Sequence, residues 1–388
     1  MPSRLQFNRR HLLAMGAAAP LVLGAARGKA QEAVGQPLMG DPQLPEPFGQ
    51  RMRWAIVGLG TFAIGQVIPG FLMASKSRMT AFVSGNAGKA RQVGARYGVD
   101  RFYSYADYDR IADDPEIDCV YIALPTGLHA EYTIRALDAG KHVLCEKPMA
   151  STAAECEAMI AAARRNNRRL GVAYRVHFEP TNVEAQRRIA GGALGAMRHI
   201  RSEHGFNANP DWPPHKWRLE RALAGGGSMF DIGIYGLNTS LMMLGDDRPV
   251  SVSAVHAYPK DDPRFQEVEG GLDWRMVTAG GTSVSGSSSY SYSPYVSRQH
   301  YMGAKGAAEM QPATTYYDNS LVITGGDAPG EVGAGRAVTQ FPAQVDGFTD
   351  AVRDGRAHLT PGEMGYRDIK LIEAMYRSAD AGGAMVGV

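Results

Sequence analysis

The sequence predicts two folds in series. The first is an α/β domain on a doubly wound parallel sheet. The second is an α+β domain with a large, mainly antiparallel open sheet. Three observations predict this. Between residues 53 and 176 short apolar runs alternate with helical periods, the texture of βαβ units. The first run ends in Gly58-Leu59-Gly60-Thr61-Phe62-Ala63, a glycine turn between a strand and a helix. Beyond residue 183 the runs lengthen and alternate in polarity, as antiparallel strands with one covered face do.

The N-terminus comes before either domain. Asn8-Arg9-Arg10-His11-Leu12-Leu13 precedes an Ala-rich apolar run over 15–26 and then Gly28-Lys29-Ala30. A basic region, an apolar region and a small-residue cleavage site read as a twin-arginine signal peptide over 1–30. That route carries folded proteins, so the expectation is recognition by the export machinery and a periplasmic mature protein. A plain secretory signal or an uncleaved apolar N-terminus is the alternative. Residues 31–50 hold Pro37, Pro42, Pro45 and Pro47 and show no period. They read as an arm, either a linker or a segment lying on another surface.

About 358 residues follow the leader, enough for two domains of ordinary size. The predicted division is 51–176 for nucleotide binding and 177–388 for substrate and oligomerisation. A net charge of +2 argues against a large basic footprint for nucleic acid. No apolar run after the leader has bilayer length. Three cysteines, Cys119, Cys145 and Cys156, lie in apolar or helical patterns with no metal spacing. They read as buried free thiols, and no metal is expected.

In the first domain the predicted strands are 54–57, 79–83, a short one near 102–103, 119–124, 142–145 and 170–176. Predicted helices cover 64–74, 87–97, 105–112, 129–139 and a segment from a Ser151 cap to about 167. In the second domain a helix over 182–191 precedes strands at 197–206, 250–258, 272–279, 282–290 and 299–303. A helix capped by Ser228 runs to about 244. Helices over 345–353 and 361–381 close the chain, the last expected to pack back on the first domain.

The glycine turn carries the first chemistry. Gly58 permits the tight turn and Gly60 lets a pyrophosphate approach the backbone. Ala63 keeps helix and strand close, and the helix start beyond Thr61 and Phe62 offers a positive dipole. A chain selecting NAD carries an acid at the tip of the second strand. Here Val83-Ser84-Gly85-Asn86 and then Lys89 supply a hydroxyl, amides and an ammonium, which suit a 2′-phosphate and hence NADP. The bland alternative makes Ser84 a turn residue and Lys89 a solvated charge. Tyr105 lies just beyond the third strand. Leu124-Pro125-Thr126 ends the fourth strand where nicotinamide-side loops converge, with His129 at the following helix start. His129 reads equally as a ligand contact or as a residue of the helix start alone.

The second chemistry lies in Cys145-Glu146-Lys147-Pro148 and in the helix carrying Asp231 and Tyr235. Lys147 follows a strand and points into the ligand crevice. Asp231 and Tyr235 are four apart, so they share a helix face. A free phenol has a pKa of about 10. A nearby ammonium favours the phenolate, so Lys147 and Tyr235 are natural partners for proton transfer at a hydroxyl or carbonyl. Tyr174-Arg175, Trp217-Arg218 and Tyr316 are further polar and aromatic candidates for the cofactor and substrate pocket.

These residues together resemble the Gfo/Idh/MocA oxidoreductases, and within them the glucose–fructose and aldose–aldose branch. The shared motifs are Gly58-Leu59-Gly60, Val83-Ser84-Gly85-Asn86, Glu146-Lys147-Pro148 and Gly225-Gly226-Gly227-Ser228 through Tyr235-Gly236-Leu237-Asn238. The resemblance implies catalytic roles for Lys147, Asp231 and Tyr235. It implies tightly held NADP, oxidation of an aldose to its lactone and reduction of a second sugar. It also implies an arm lying over the adenosine end and a homo-oligomer joined through the large sheet. Residues 207–214 and 281–294 depart from the glucose–fructose pattern, which favours an aldose as acceptor. An ordinary NADP-linked dehydrogenase with exchanging cofactor, or a sensor without turnover, is the alternative.

Overall fold

The computed structural model describes residues 45–388. The expected leader and the expected arm as far as residue 44 lie outside the described residues. Six strands form the first sheet: β1 (Met52–Val57), β2 (Ser77–Val83), β3 (Arg101–Tyr103), β4 (Cys119–Ile122), β5 (His142–Cys145) and β6 (Leu170–Val172). They are all parallel, in the order β3-β2-β1-β4-β5-β6. The direction of winding reverses between β1 and β4, the place where such sheets open a ligand crevice at their C-terminal ends.

Alternation along the strands builds two cores. Trp54 and Ile56 pack on one face with Phe71, Phe82, Tyr121 and Phe348. Ala55 and Val57 face the other side with Val83, Val120 and Ile122. Phe348 comes from the helix Gln340–Arg353, so a late segment completes the first sheet's cover. The last long helix, Gly362–Asp380, packs against both helix Ala153–Arg165 and a strand of the second sheet.

The second sheet has nine strands. They are β7 (Met197–Asn207), β8 (Pro249–His256), β9 (Gly271–Thr278), β10 (Ser283–Ser289), β11 (Ser291–Gly303), β12 (Gly306–Met310), β13 (Val322–Gly325), β14 (Gly330–Glu331) and β15 (Val386–Gly387). Their order is β14-β13-β12-β11-β7-β10-β9-β8-β15, antiparallel except for the parallel β7–β10 pair.

Several expected elements are corrected. The 105–112 helix is a short 3₁₀ turn over Tyr108–Asp113. There Asp107 accepts from the Ser104 amide at 2.5 Å, and that local bond competes with a helix. Thr152, not Ser151, caps the next helix, exchanging bonds with Glu155 in a capping box. Strand β6 stops at Val172, whose amide bonds to Thr360, and Arg175–Phe178 then coils into a 3₁₀ turn. Strand β11 starts eight residues earlier than the sequence pattern shows, and β12–β15 are too short or glycine-rich to leave a period. Tyr316 falls in the loop between β12 and β13.

The three cysteines are buried and free. Among the described residues no helix is long and apolar enough to cross a membrane.

Candidate active site

The crevice is lined by the C-terminal ends of β1, β2, β4, β5 and β6. Gly58 has φ +94°, and a Cβ there would lie 2.5 Å from the Ala123 carbonyl oxygen beyond β4. Only glycine fits that turn. Gly60 is different: a Cβ there would meet nothing within 4 Å. The chain therefore leaves space in front of Gly60, and no side chain caps the helix that begins at Thr61 and Phe62. Its first amides have no intrahelical acceptor. Open space before a bare helix start fits a dinucleotide pyrophosphate.

The tip of β2 carries no acid. Ser84 is buried, its Oγ accepting from the Asn86 amide at 3.2 Å. Asn86 caps the helix Ala87–Tyr97 by accepting from the amide of half-buried Lys89 at 2.9 Å, which puts Lys89 in the first turn of that helix. The Tyr105 ring closes this corner, since a Cβ on Gly85 would sit 3.1 Å from it. A buried hydroxyl, the turn amides and a lysine in the first turn of the next helix thus follow the tip of β2.

The second half of the crevice is dense with charge. The Lys147–Pro148 bond is cis. Lys147 Nζ donates to the Asp231 carbonyl at 2.7 Å and lies 3.4 Å from Asp231 Oδ1. Asp231 Oδ2 accepts from Arg218 Nε at 2.7 Å and from the Tyr290 hydroxyl at 3.3 Å. Though burial opposes ionisation, Arg218 and Lys147 together hold the Asp231 carboxyl well below the usual carboxylate range. Arg218 also stacks on Trp217, its guanidinium 4.5 Å from the ring centroid.

Tyr235 is 5% exposed, and the Lys147 ammonium sits 4.6 Å from its ring centroid. The two expected partners therefore meet through the ring face. Burial raises the Tyr235 phenol above its ordinary value, and Arg175 is the cation that offsets it most. The sequence expectation of a phenol lowered overall is corrected accordingly: burial outweighs the cations around it. The spacing argument put lysine and phenol together but had no access to the desolvation around them.

The helix bearing Asp231 and Tyr235 opens with a five-residue π turn, Met229–Gly233, before Ile234–Leu244. Ser228 does not cap it, because its hydroxyl bonds to Ser288 at 3.0 Å. Glu269 takes that place, accepting from the amides of Gly227 at 2.7 Å and Met229 at 2.9 Å.

Other candidates are redistributed. Tyr174 is fully buried in the core and senses Asp368 of the last helix, whereas Arg175, its neighbour, turns to the crevice. The chain leaves β6 in a tight turn, the Tyr174 amide bonding to Val172 and the Arg175 amide to Ala173, and only Arg175 reaches the site. His129 has both ring nitrogens 2.8 Å from carbonyls, those of Pro148 and Leu124. It ties together the loops after β4 and β5 and is 1% exposed, which leaves no nitrogen for a ligand. Thr126 is buried beside it and Pro125 half-buried. The Glu146 carboxylate faces inward, accepting from the Tyr121 hydroxyl at 2.6 Å behind Lys147. Tyr316 lies half-buried over Arg175 and near Phe62, with a ring separation of 6.2 Å. Tyr290 escaped the sequence reading because it ends a serine-rich strand with no motif around it.

Comparison with known proteins agrees with this geometry. Residues 52–174 match the model for the oxidoreductase family with an NAD-binding Rossmann fold, and 182–309 match the Gfo/Idh/MocA C-terminal domain. An uncharacterized oxidoreductase of Rhizobium meliloti is 30% identical over 85% of this chain and 98% of its own. The NADP(+)-dependent D-xylose 1-dehydrogenase of Haloarcula marismortui is 28% identical over 85% of this chain and 91% of its own. The crystal structure of aldose–aldose oxidoreductase from Caulobacter crescentus, complexed with glycerol, superposes with a TM-score of 0.82. It is 39% identical, with 87% of this chain and all of that one covered. Fold and site define a dinucleotide-dependent oxidoreductase. The chain belongs to the Gfo/Idh/MocA oxidoreductase family.

Proposed function

We propose that this NAD(P)-dependent sugar oxidoreductase works in the periplasm on NADP that it does not release, oxidising an aldose to its lactone and reducing a second aldose or ketose to the alditol. One observation carries the reading. Lys147, Asp231 and Tyr235 converge in a buried, charged cluster at the C-terminal edge of a dinucleotide-binding sheet whose second strand ends without an acid. Likeness to an aldose–aldose oxidoreductase and to an NADP(+)-dependent xylose dehydrogenase supports the choice of sugar and of NADP. The twin-arginine leader supports the compartment and the export partner. The uncovered span of the large sheet is proposed as the contact of a homo-oligomer.

The residues divide the work. Gly58, Gly60 and the bare helix start hold a pyrophosphate, and Ser84 with Lys89 receives the 2′-phosphate. NADP, when bound, supplies the hydride acceptor and, once reduced, the donor for the second sugar. Tyr235 takes the proton of the sugar C1 hydroxyl and returns it to the second sugar's carbonyl oxygen. Asp231 stays ionised, fixes the Lys147 ammonium over the Tyr235 ring and is itself fixed by Arg218 and Tyr290. Placing Tyr235 among buried aromatics keeps water from the reacting carbon.

The test is spectroscopic. Mature protein purified without added cofactor should gain the reduced-nicotinamide band when an aldose is added and lose it with a second sugar. No change until NADP is supplied would replace the proposal with a dehydrogenase that exchanges its cofactor. Tyr235→Phe should keep NADP and lose about 10²- to 10⁴-fold in rate, the usual worth of a positioned acid–base group. A fully active variant would remove Tyr235 from the mechanism.

A further inference from the structure

Arg175 is 4% exposed, yet it has no carboxylate within ion-pair distance among the described residues. Its guanidinium is fixed from behind by neutral acceptors. Nη1 donates to Gln340 Oε1 at 2.6 Å and to the Thr315 carbonyl at 3.2 Å, and Nη2 donates to the Thr314 carbonyl at 2.6 Å. In front it lies between two phenol rings, 4.8 Å from the Tyr235 centroid and 4.4 Å from the Tyr316 centroid. Its Nε–H is buried and has no acceptor among the described residues. A buried donor without an acceptor is unfavourable.

Lys147 is placed differently. Its ammonium donates to the Asp231 main-chain carbonyl at 2.7 Å and lies 3.4 Å from the Asp231 carboxylate, so a carboxylate already pairs its charge. Of the two cations over the Tyr235 ring, only Arg175 brings charge that no carboxylate has paired.

We propose that Arg175 is the positioning residue of Tyr235: wedged between the Tyr235 and Tyr316 rings, it holds the phenol in place and supplies the unpaired positive charge toward which the phenolate forms. This rests on the reading of Tyr235 as the proton-transferring group. The other groups facing the phenol come from every element packed on it. Tyr121 stands on β4, and Glu146 and Lys147 follow β5. Asp231 shares the helix, Tyr295 comes from β11, and Tyr316 from the loop after β12. Burial pushes the phenol up, Arg175 pulls it back, and Glu146 and Asp231 add to the rise. The planar guanidinium suits the post, since it stacks on aromatic faces and stays charged when buried.

The test reads the ionisation of residue 235 without needing turnover. 3,5-Difluorotyrosine placed at position 235 of the mature chain has a more acidic phenol, whose phenolate absorbance is followed against pH. Arg175→Gln should raise its midpoint by about one unit, a tenfold change in acidity. Arg175→Lys, which keeps the charge but not the plane, should raise it by less. Lys147→Gln should also move it less than Arg175→Gln. If Arg175→Gln does not fold, Arg175→Lys decides: it must still raise the midpoint measurably, because an ammonium cannot keep the planar fit between the two rings. A midpoint unmoved by either Arg175 variant, or moved most by Lys147→Gln, overturns the proposal. The native enzyme's behaviour with aldoses is a separate measurement. Failure to turn over any sugar would overturn the proposed function and leave this titration to be judged by itself.

Discussion

Two glycine-rich turns in this molecule open two helices, and they meet opposite fates. The turn at Gly58–Gly60 leads into a helix whose first turns include a π stretch, Ala63–Val67, with no side-chain cap and open space before Gly60. The turn at Gly225–Gly227 leads into the π stretch Met229–Gly233, and there the chain supplies its own acceptor, the Glu269 carboxyl. A helix start prefers negative charge. Where the protein supplies the acceptor itself, the helix start is closed and its face carries the proposed acid–base side chains. Where none is supplied, we propose that a cofactor phosphate completes it.

Substitutions can break the comparison, and the largest effect is expected at the closed turn. A Cβ on Gly227 would lie 1.9 Å from the Glu269 carbonyl oxygen, so Gly227→Ala must displace backbone. It should cost about 3 kcal/mol of stability, seen as a lowered denaturant midpoint. Glu269→Gln comes next, at about 1–3 kcal/mol, because it weakens acceptors for two buried amides. Its pH dependence has a definite sign. Burial raises the Glu269 carboxyl above its ordinary value despite those amides. A raised folded value means a stabilisation present below the ordinary carboxylate range and lost as pH rises through the folded value. The gap between wild type and Glu269→Gln should therefore be widest in acid, and a gap that widens with pH would contradict the assignment.

The open turn should respond the other way. Gly60→Ala should melt within about 0.5 kcal/mol of wild type, since nothing occupies that space. Its NADP affinity should nonetheless drop about tenfold by calorimetry, or about 1.4 kcal/mol. Equal losses of fold and affinity would mean that the turn is structural after all. Lys89→Ala should have the smallest effect. A half-exposed charge is worth about 0.2–1 kcal/mol, so the preference for NADP over NAD should shrink only a few-fold in competition binding.

The legibility of these regions differs for the same physical reason. The parallel sheet could be read almost strand by strand because βαβ units are local. Each apolar run buries itself against a helix a few residues away, so strand β5 and helix Ala87–Tyr97 emerged with their observed bounds. Glycine turns announce themselves through composition, and Lys147, Asp231 and Tyr235 through motif and spacing. What failed was whatever depended on a distant partner. Ser228 was expected as a cap because it precedes a helix, but the capping group is 41 residues further along the chain. Tyr174 and Arg175 are adjacent, and no local pattern says which of them enters the crevice. Strand β13 forms on the edge that β12 offers, and β14 on the edge of β13.

By itself the sequence determined the order of strands and helices in the first domain, the nucleotide turn with its missing acid, and the pairing of a lysine loop with an Asp–Tyr helix. Those follow from local sterics and periodicity, which act over a few residues. Only the tertiary structure decided which cation faces which acid. It turned His129 into a strap between loops, gave Lys147 to Asp231 and wedged Arg175 between two phenol rings. The reason is desolvation: a buried charge is governed by whichever neighbours the fold brings within a few ångströms, and sequence distance carries no record of them.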